Sequence, residues 1–154
     1  MDSRNINDLT PALRPKCDEF IVRCKQAGHD VMITCTLRSR ATQAAYWARG
    51  REDLVEVNKL YALAGMALIT AEQNKKKITW TKNSRHFPGA DGFSQAFDFA
   101  ILKDGQPVWD SKADYDADQI PDYLECARIA ESLGLESGAF WQNPDMPHCQ
   151  MRGA

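Results

Sequence analysis

S-R-H-F-P-G-A-D-G-F-S-Q-A-F-D-F-A, Ser84 to Ala100, is the stretch on which the reading of the whole chain turns. It opens in a Gly/Pro-rich loop holding His86 and closes in a strand-like run, Ala96 to Leu102, whose one acid is Asp98. Asp98 stands between Phe97 and Phe99, and Ala100, Ile101 and Leu102 continue the apolar run. A carboxylate there is costly to bury unless a partner neutralises it, and a bound metal is one such partner. The same residue types recur in D-M-P-H, Asp145 to His148. Two histidines and one acid from separated segments, with a second acid beside them, is how a catalytic zinc site is usually assembled.

Outward from this stretch, the pattern alternates helix and strand. After Leu102, K-D-G-Q and Pro107 to Trp109 complete a hairpin whose turn is Asp104-Gly105. Upstream, Cys17, Phe20, Ile21 and Cys24 share one helical face behind Pro15, and Gly28 is the expected stop. Val31 to Thr36 is β-branched and reads as a buried strand. A strand ending in Arg38 then feeds a helix starting near Thr42 and closing near Gly50. Arg51 to Leu68 is helical in pattern, Asn74 to Lys77 a basic turn, and Ile78 to Thr81 a short strand. Asp114 to Asp118 is an acidic link into a helix from Ile120 to Leu133, with Pro121 in its first turn and Gly134 at its end. The last twenty residues read as aromatic and irregular. This order predicts an α+β fold, helices packed on a small, mostly antiparallel sheet.

A chain of 154 residues fits one domain, 1–154, with 1–14 as a lead-in. Its 44% hydrophobic and 26% charged composition is that of an ordinary globular protein. A net charge of -2 gives no bulk electrostatic case for nucleic acid or for a strong hold on an anionic surface. The five cysteines, Cys17, Cys24, Cys35, Cys126 and Cys149, are odd in number and form no C-x-x-C pair, which fits a reducing compartment. No signal-peptide h-region is visible at the N-terminus, and the longest apolar stretch, Leu60 to Ala71, is too short to span a bilayer, so synthesis in the cytoplasm without membrane insertion is expected.

The chemistry assigns His86, Asp98 and His148 as ligands of a zinc ion. Neutral imidazoles and a carboxylate suit that metal, and three protein ligands leave a position open for water. The metal lowers the pKa of its water to about 7 and polarises a scissile carbonyl. A nearby carboxylate must then take the water's proton and pass it to the leaving amine, and Asp145 is placed for this. Each residue also has a plainer reading. His86 would be a loop histidine, Asp98 a core acid paired with an arginine, and Asp145 with His148 a capping pair. His29, in a turn after Gly28, reads as a surface residue. Trp109, Phe140 and above all Trp141 could line a substrate groove, or be core. Lys75 to Lys77 could meet an anionic wall polymer, or be a solvated turn.

These segments resemble the zinc D-Ala-D-Ala carboxypeptidase and L-alanyl-D-glutamate endopeptidase family, which includes VanY-like enzymes and several phage endolysins. The family's serine, histidine, alanine and aspartate correspond to Ser84, His86, Ala96 and Asp98, and its second half to Asp145-Met146-Pro147-His148. T-C-T-L-R-S-R-A-T-Q-A-A-Y-W-A-R-G, Thr34 to Gly50, is similar to its strand, arginine and glutamine-bearing helix. The resemblance runs from about Ile33 to Gln150. It implies a Hedgehog/D-Ala-D-Ala peptidase-like domain with zinc on His86, Asp98 and His148. Asp145 would be the general base, and Arg38 a binder of a substrate carbonyl or carboxylate. Ser84 supports the His86 loop. The activity implied is hydrolysis of a peptidoglycan stem peptide, at the L-alanyl-D-glutamate bond, by a monomeric phage or prophage endolysin that reaches the wall after holin-type release. A D-alanyl-D-alanine carboxypeptidase or dipeptidase, and a non-catalytic zinc- or wall-binding module, are the alternatives. Two departures stand out. The His86 to Asp98 loop is long and adds Asp91 as a possible rival ligand, and Cys149 stands where an aromatic is usual.

Overall fold

The structure is a computed structural model and describes residues 2–153. Those residues form the helices α1 (Arg14–Gln26), α2 (Arg40–Ala48), α3 (Leu54–Leu63) and α4 (Asp122–Ser132). The strands are β1 (Asp30–Cys35), β2 (Ala96–Lys103), β3 (Gln106–Val108), β4 (Leu135–Ser137) and β5 (His148–Met151). The named strands all pair antiparallel, in the order β1-β2-β5-β4, with β3 added to β2. The expected α+β class, helices on a small antiparallel sheet, is borne out.

Alternation along β2 decides what the sheet does with Asp98. Successive side chains point to opposite faces. Phe97, Phe99 and Ile101 join the main core with Phe20 and Cys17 of α1 and Tyr123 and Cys126 of α4. Phe20 meets Phe97 and Phe99 at ring-centroid distances of 5.4 and 4.9 Å, and Phe99 stacks on Tyr123 at 5.5 Å. Asp98 therefore lies on the other face, flanked by the small Ala96 and Ala100. The apolar run around Asp98 buries its neighbours, while Asp98 itself opens onto a cleft.

The β2–β3 hairpin turns at Asp104 and Gly105, with φ of 52° and 75°, the double positive-φ pattern that favours Asp-Gly in a two-residue turn. Helix α1 carries Pro15 in its first turn and is followed by Gly28 at φ 92°, as expected. Helix α4 ends before Gly134 at φ 80°.

Four stretches differ from the sequence reading. Helix α3 stops at Leu63, short of Leu68, because Gly65 adopts φ 73° and the Met66 N–H donates back to Tyr61 O. Residues beyond it are held by Asn58, whose side-chain amide donates to Ile69 O at 3.1 Å and accepts from Ile69 N at 2.8 Å. Ile78 to Thr81 joins no strand. Its backbone is held by side chains instead, with Gln43 Nε2 donating to Thr81 O at 2.7 Å and Arg51 to Thr79 O at 2.9 Å. The last twenty residues are not irregular throughout, because they contain all of β4 and β5. Residues 2–13, expected to lead into the fold, are built into it. Leu9 and Leu13 are fully buried, and Ser3 exchanges backbone hydrogen bonds with Thr36 and Leu37. Among the described residues, no helix is long and apolar enough to cross a membrane.

Candidate metal centre

Cross-strand register brings the two halves of the site together. Asp98 of β2 lies directly opposite His148 of β5 and also opposite Cys35 of β1. His86 arrives from the long loop, where its carbonyl accepts from Arg38 N at 2.9 Å and its own N–H donates to Ser84 Oγ at 3.1 Å. Ser84 thus has the supporting role read for it. The result is a triangle. His86 Nε2 and His148 Nδ1 lie 3.2 and 3.0 Å from Asp98 Oδ1, and 3.3 Å from each other.

The outer nitrogens set the tautomers. His86 Nδ1 lies 2.8 Å from Thr36 O, so it carries the proton and leaves Nε2 bare. His148 Nε2 lies 2.9 Å from Gln150 Oε1, and Gln150 Nε2 donates onward to Glu136 at 3.2 Å. Both imidazoles therefore aim an unprotonated nitrogen at the same point as a carboxylate oxygen, as metal-bound histidines do. Ligands about 2.0–2.1 Å from a tetrahedral zinc stand roughly 3.3 Å apart, close to the edges of this triangle. The residues present thus fit a zinc ion. Both histidines are buried, which fixes their orientation.

Electrostatics follow from the packing. Burial alone would raise the Asp98 carboxyl. With the inner nitrogens protonated, the charge of His86 and the hydrogen bonds from His148 and His86 outweigh it and hold Asp98 well below the usual carboxylate range. Burial lowers His148, but its bond to Asp98 and the Asp98 charge bring it above an ordinary imidazole. Asp145 lies on the rim, with a carboxylate oxygen within 4.8 Å of the ligand atoms of Asp98 and His148. Desolvation in the cleft and the Asp98 charge both push its carboxyl up. The Asp145–His148 turn is closed by His148 N donating to Asp145 O at 3.2 Å, and Asp145 N donates to Gly138 O at 2.9 Å. Gly138 must be glycine here, because a Cβ would come within 2.5 Å of Asp145 O.

Arg38 borders the cleft, with one terminal nitrogen 3.9 Å from Asp98 Oδ2. Its guanidinium donates to both oxygens of Asp2, at 2.9 and 3.0 Å, and to Gln43 Oε1 at 2.9 Å. Asp91 stays in its loop, where its carboxylate accepts from Phe93 N at 3.0 Å. Cys149 is fully buried and its thiol is pushed well up by burial. Trp141 packs on His148 at 5.0 Å between ring centroids and lines the cleft, whereas Trp109 and Phe140 do not. Lys75 pairs with Glu72 in the expected solvated turn.

Four contributors escaped the sequence reading. Asp2, Gln43, Gln150 and Glu136 hold Arg38, the Thr79–Thr81 segment and His148. Only Gln150, two residues from His148 on the same strand face, left a local signal. His29 also needs correcting. It is buried, not superficial, and bonds to Glu125, with Asp122 and Asp116 each 4.0 Å away. The acidic link and the first turns of α4 fold over it, so its partners come from some ninety residues downstream.

Compared with protein-family models, the chain matches none. It is 26% identical over 147 residues to the peptidoglycan L-alanyl-D-glutamate endopeptidase CwlK of Bacillus subtilis (strain 168), covering 94% of this chain and 74% of that protein. A crystal structure of the L-Ala D-Glu endopeptidase ChiX of Serratia marcescens aligns with 98% of this chain and 88% of its own, at 19% identity and a TM-score of 0.49. The family resemblance read from Ser84, His86, Asp98 and the Asp145–His148 turn is borne out by the similarity to CwlK.

Proposed function

We propose that this chain is a VanY-like, zinc-dependent peptidoglycan hydrolase that cuts the stem peptide between L-alanine and D-glutamate. The observation that carries the reading is the triangle of His86 Nε2, His148 Nδ1 and Asp98 Oδ1, with edges of 3.0 to 3.3 Å. His86, His148 and Asp98 would hold the zinc, which would supply Lewis acidity toward a water and the scissile carbonyl. Asp145 takes the proton from the attacking water and delivers it to the leaving amine, a role its raised carboxyl suits. Arg38, oriented by Asp2, faces the substrate carbonyl and its developing charge. Thr36 O and Gln150 keep the two imidazoles in the tautomers that ligation needs.

The carboxypeptidase alternative gives Arg38 a free substrate carboxylate to bind. Asp2 already takes two of the Arg38 donors, which favours the endopeptidase reading. The wider setting proposed is host lysis by a phage or prophage endolysin. Expression in a bacterial host with and without a holin tests it, with lysis expected only when the holin is present.

The test of the chemistry pairs metal analysis with a turbidity assay on permeabilised cell walls. About one zinc per chain is expected in the wild type. Asp145→Ala should keep that zinc and lose roughly 10²–10⁴-fold in rate. A wild type that clears cell walls equally well after complete chelation would overturn the reading.

A further inference from the structure

We propose that the groove beyond Trp141 seats the amino-sugar ring to which the stem peptide is attached, with Trp80 as its stacking platform. This rests on the endopeptidase reading above. The groove has a volume of about 680 Å³ and runs into the cleft at the metal centre, because Thr79, Thr81, Trp141 and Asp145 line both. Its only charged lining residue is Asp145, at the end shared with the cleft. An anionic wall polymer has nothing to pair with there. A neutral, hydroxyl- and amide-bearing ligand does, since the side-chain amides of Gln142 and Asn143 line the same groove.

Trp80 is 66% exposed, yet its backbone is fixed on both sides. Buried Gln43 donates to Thr79 Oγ1 at 3.1 Å and to Thr81 O at 2.7 Å, and Arg51 donates to Thr79 O at 2.9 Å. The indole is therefore presented outward by a pinned segment. Lining the same groove, Trp141 is anchored through Nε1 to Glu136 at 2.7 Å. An indole face takes the apolar C–H face of a pyranose, and side-chain amides take its hydroxyls and acetamido group.

Substrate connectivity selects the occupant. The stem's first residue, L-alanine, is amide-linked to the lactyl ether of the muramic sugar. With the bond after that alanine at the metal, the ring must lie about two residue lengths away, roughly 7 Å. A groove continuous with the cleft meets that requirement. A bond at the far, D-alanyl end of the stem would leave the sugar several residues beyond it.

The experiment compares kcat and KM on two substrates, a purified disaccharide–stem peptide and the same peptide with the sugar removed, for wild type, Trp80→Ala and Trp80→Phe. Wild type is expected to prefer the sugar-bearing substrate by about tenfold, mainly in KM. Trp80→Ala should lose that preference with its kcat/KM on the free peptide unchanged, and Trp80→Phe should recover much of it. Equal cleavage of both substrates by wild type, or an equal loss on both in Trp80→Ala, overturns the sugar subsite and leaves the peptidase standing. Zinc-loaded wild type that cuts neither substrate overturns the endopeptidase reading and the subsite with it.

Discussion

Two buried histidine–carboxylate clusters stand at opposite ends of the β1–β2 ladder, and they do different things with the same groups. Near the Cys35–Asp98 end, two imidazoles each spend the outer nitrogen on a neutral acceptor and point the inner one at a shared carboxylate oxygen. Near the Asp30–Leu102 end, His29 has carboxylates on both sides, Glu125 and Asp116 toward Nε2 and Asp122 toward Nδ1. The first arrangement leaves lone pairs converging on one point. The second uses both ring nitrogens to tie α4 and the acidic link to the start of β1. What the outer nitrogen meets decides whether a buried histidine is ready for a metal or serves as an electrostatic clamp.

The sharpest way to break this comparison is to remove one acid from each cluster. Asp98→Ala should lose zinc and essentially all hydrolysis, while Asp122→Ala should keep about one zinc per chain, as measured by mass spectrometry and the turbidity assay. Loss of zinc from both variants would erase the distinction. Next in size is the clamp itself. His29→Ala strands Glu125 without its partner and should cost roughly 2–3 kcal/mol in urea unfolding, with zinc content unchanged. An unfolding midpoint equal to wild type would show that the clamp holds nothing. Gln150→Ala frees the outer nitrogen of His148, and a competition titration should show zinc bound about 10–100-fold more weakly.

The smallest effect is a pH tilt of opposite sign at the two ends, read from melting temperatures of the zinc-free protein between about pH 3 and 7. Asp98 titrates below an unfolded carboxylate, whose pKa is about 3.9, so the stability it adds is present above that value and lost as pH falls below it. Glu125 is raised, chiefly by desolvation, so the folded state holds its proton longer and stability falls as pH rises through the window above about 4.3. Asp98→Asn should flatten the acid side and Glu125→Gln the rising side. The same slope in all three proteins would mean that neither carboxylate couples to folding.

How much of this could be read from the sequence follows from how local each signal is. Helix α1, strand β1 and the β2–β3 hairpin announce themselves through periodicity, Pro15, Gly28 and Asp104-Gly105, all within a few residues. The proposed ligands His86, Asp98 and His148 are legible only as residue types in separated segments, and the sheet register supplies the meeting of Asp98 and His148. Strands β4 and β5, of three and four residues, are too short for alternation to show. Asp2 carries no local mark, because its partner Arg38 lies 36 residues away. His29 misleads for the same reason, since the acids that bury it are supplied by tertiary contact. The segment from Ile78 to Thr81 has strand-like residues, but its hydrogen bonds go to Gln43 and Arg51, which no propensity anticipates.

The cysteines carry a consequence for the chain's life outside a reducing compartment. All five are free of disulfides and buried, and burial pushes the Cys17 thiol up to about 12, that of Cys35 higher still, and that of Cys149 well above an ordinary thiol. Oxidants and disulfides react with the thiolates that can reach them. Cys17, Cys35 and Cys149 offer them neither the anion nor the access in the native fold, so transfer to an oxidising medium should leave those three thiols as they were made.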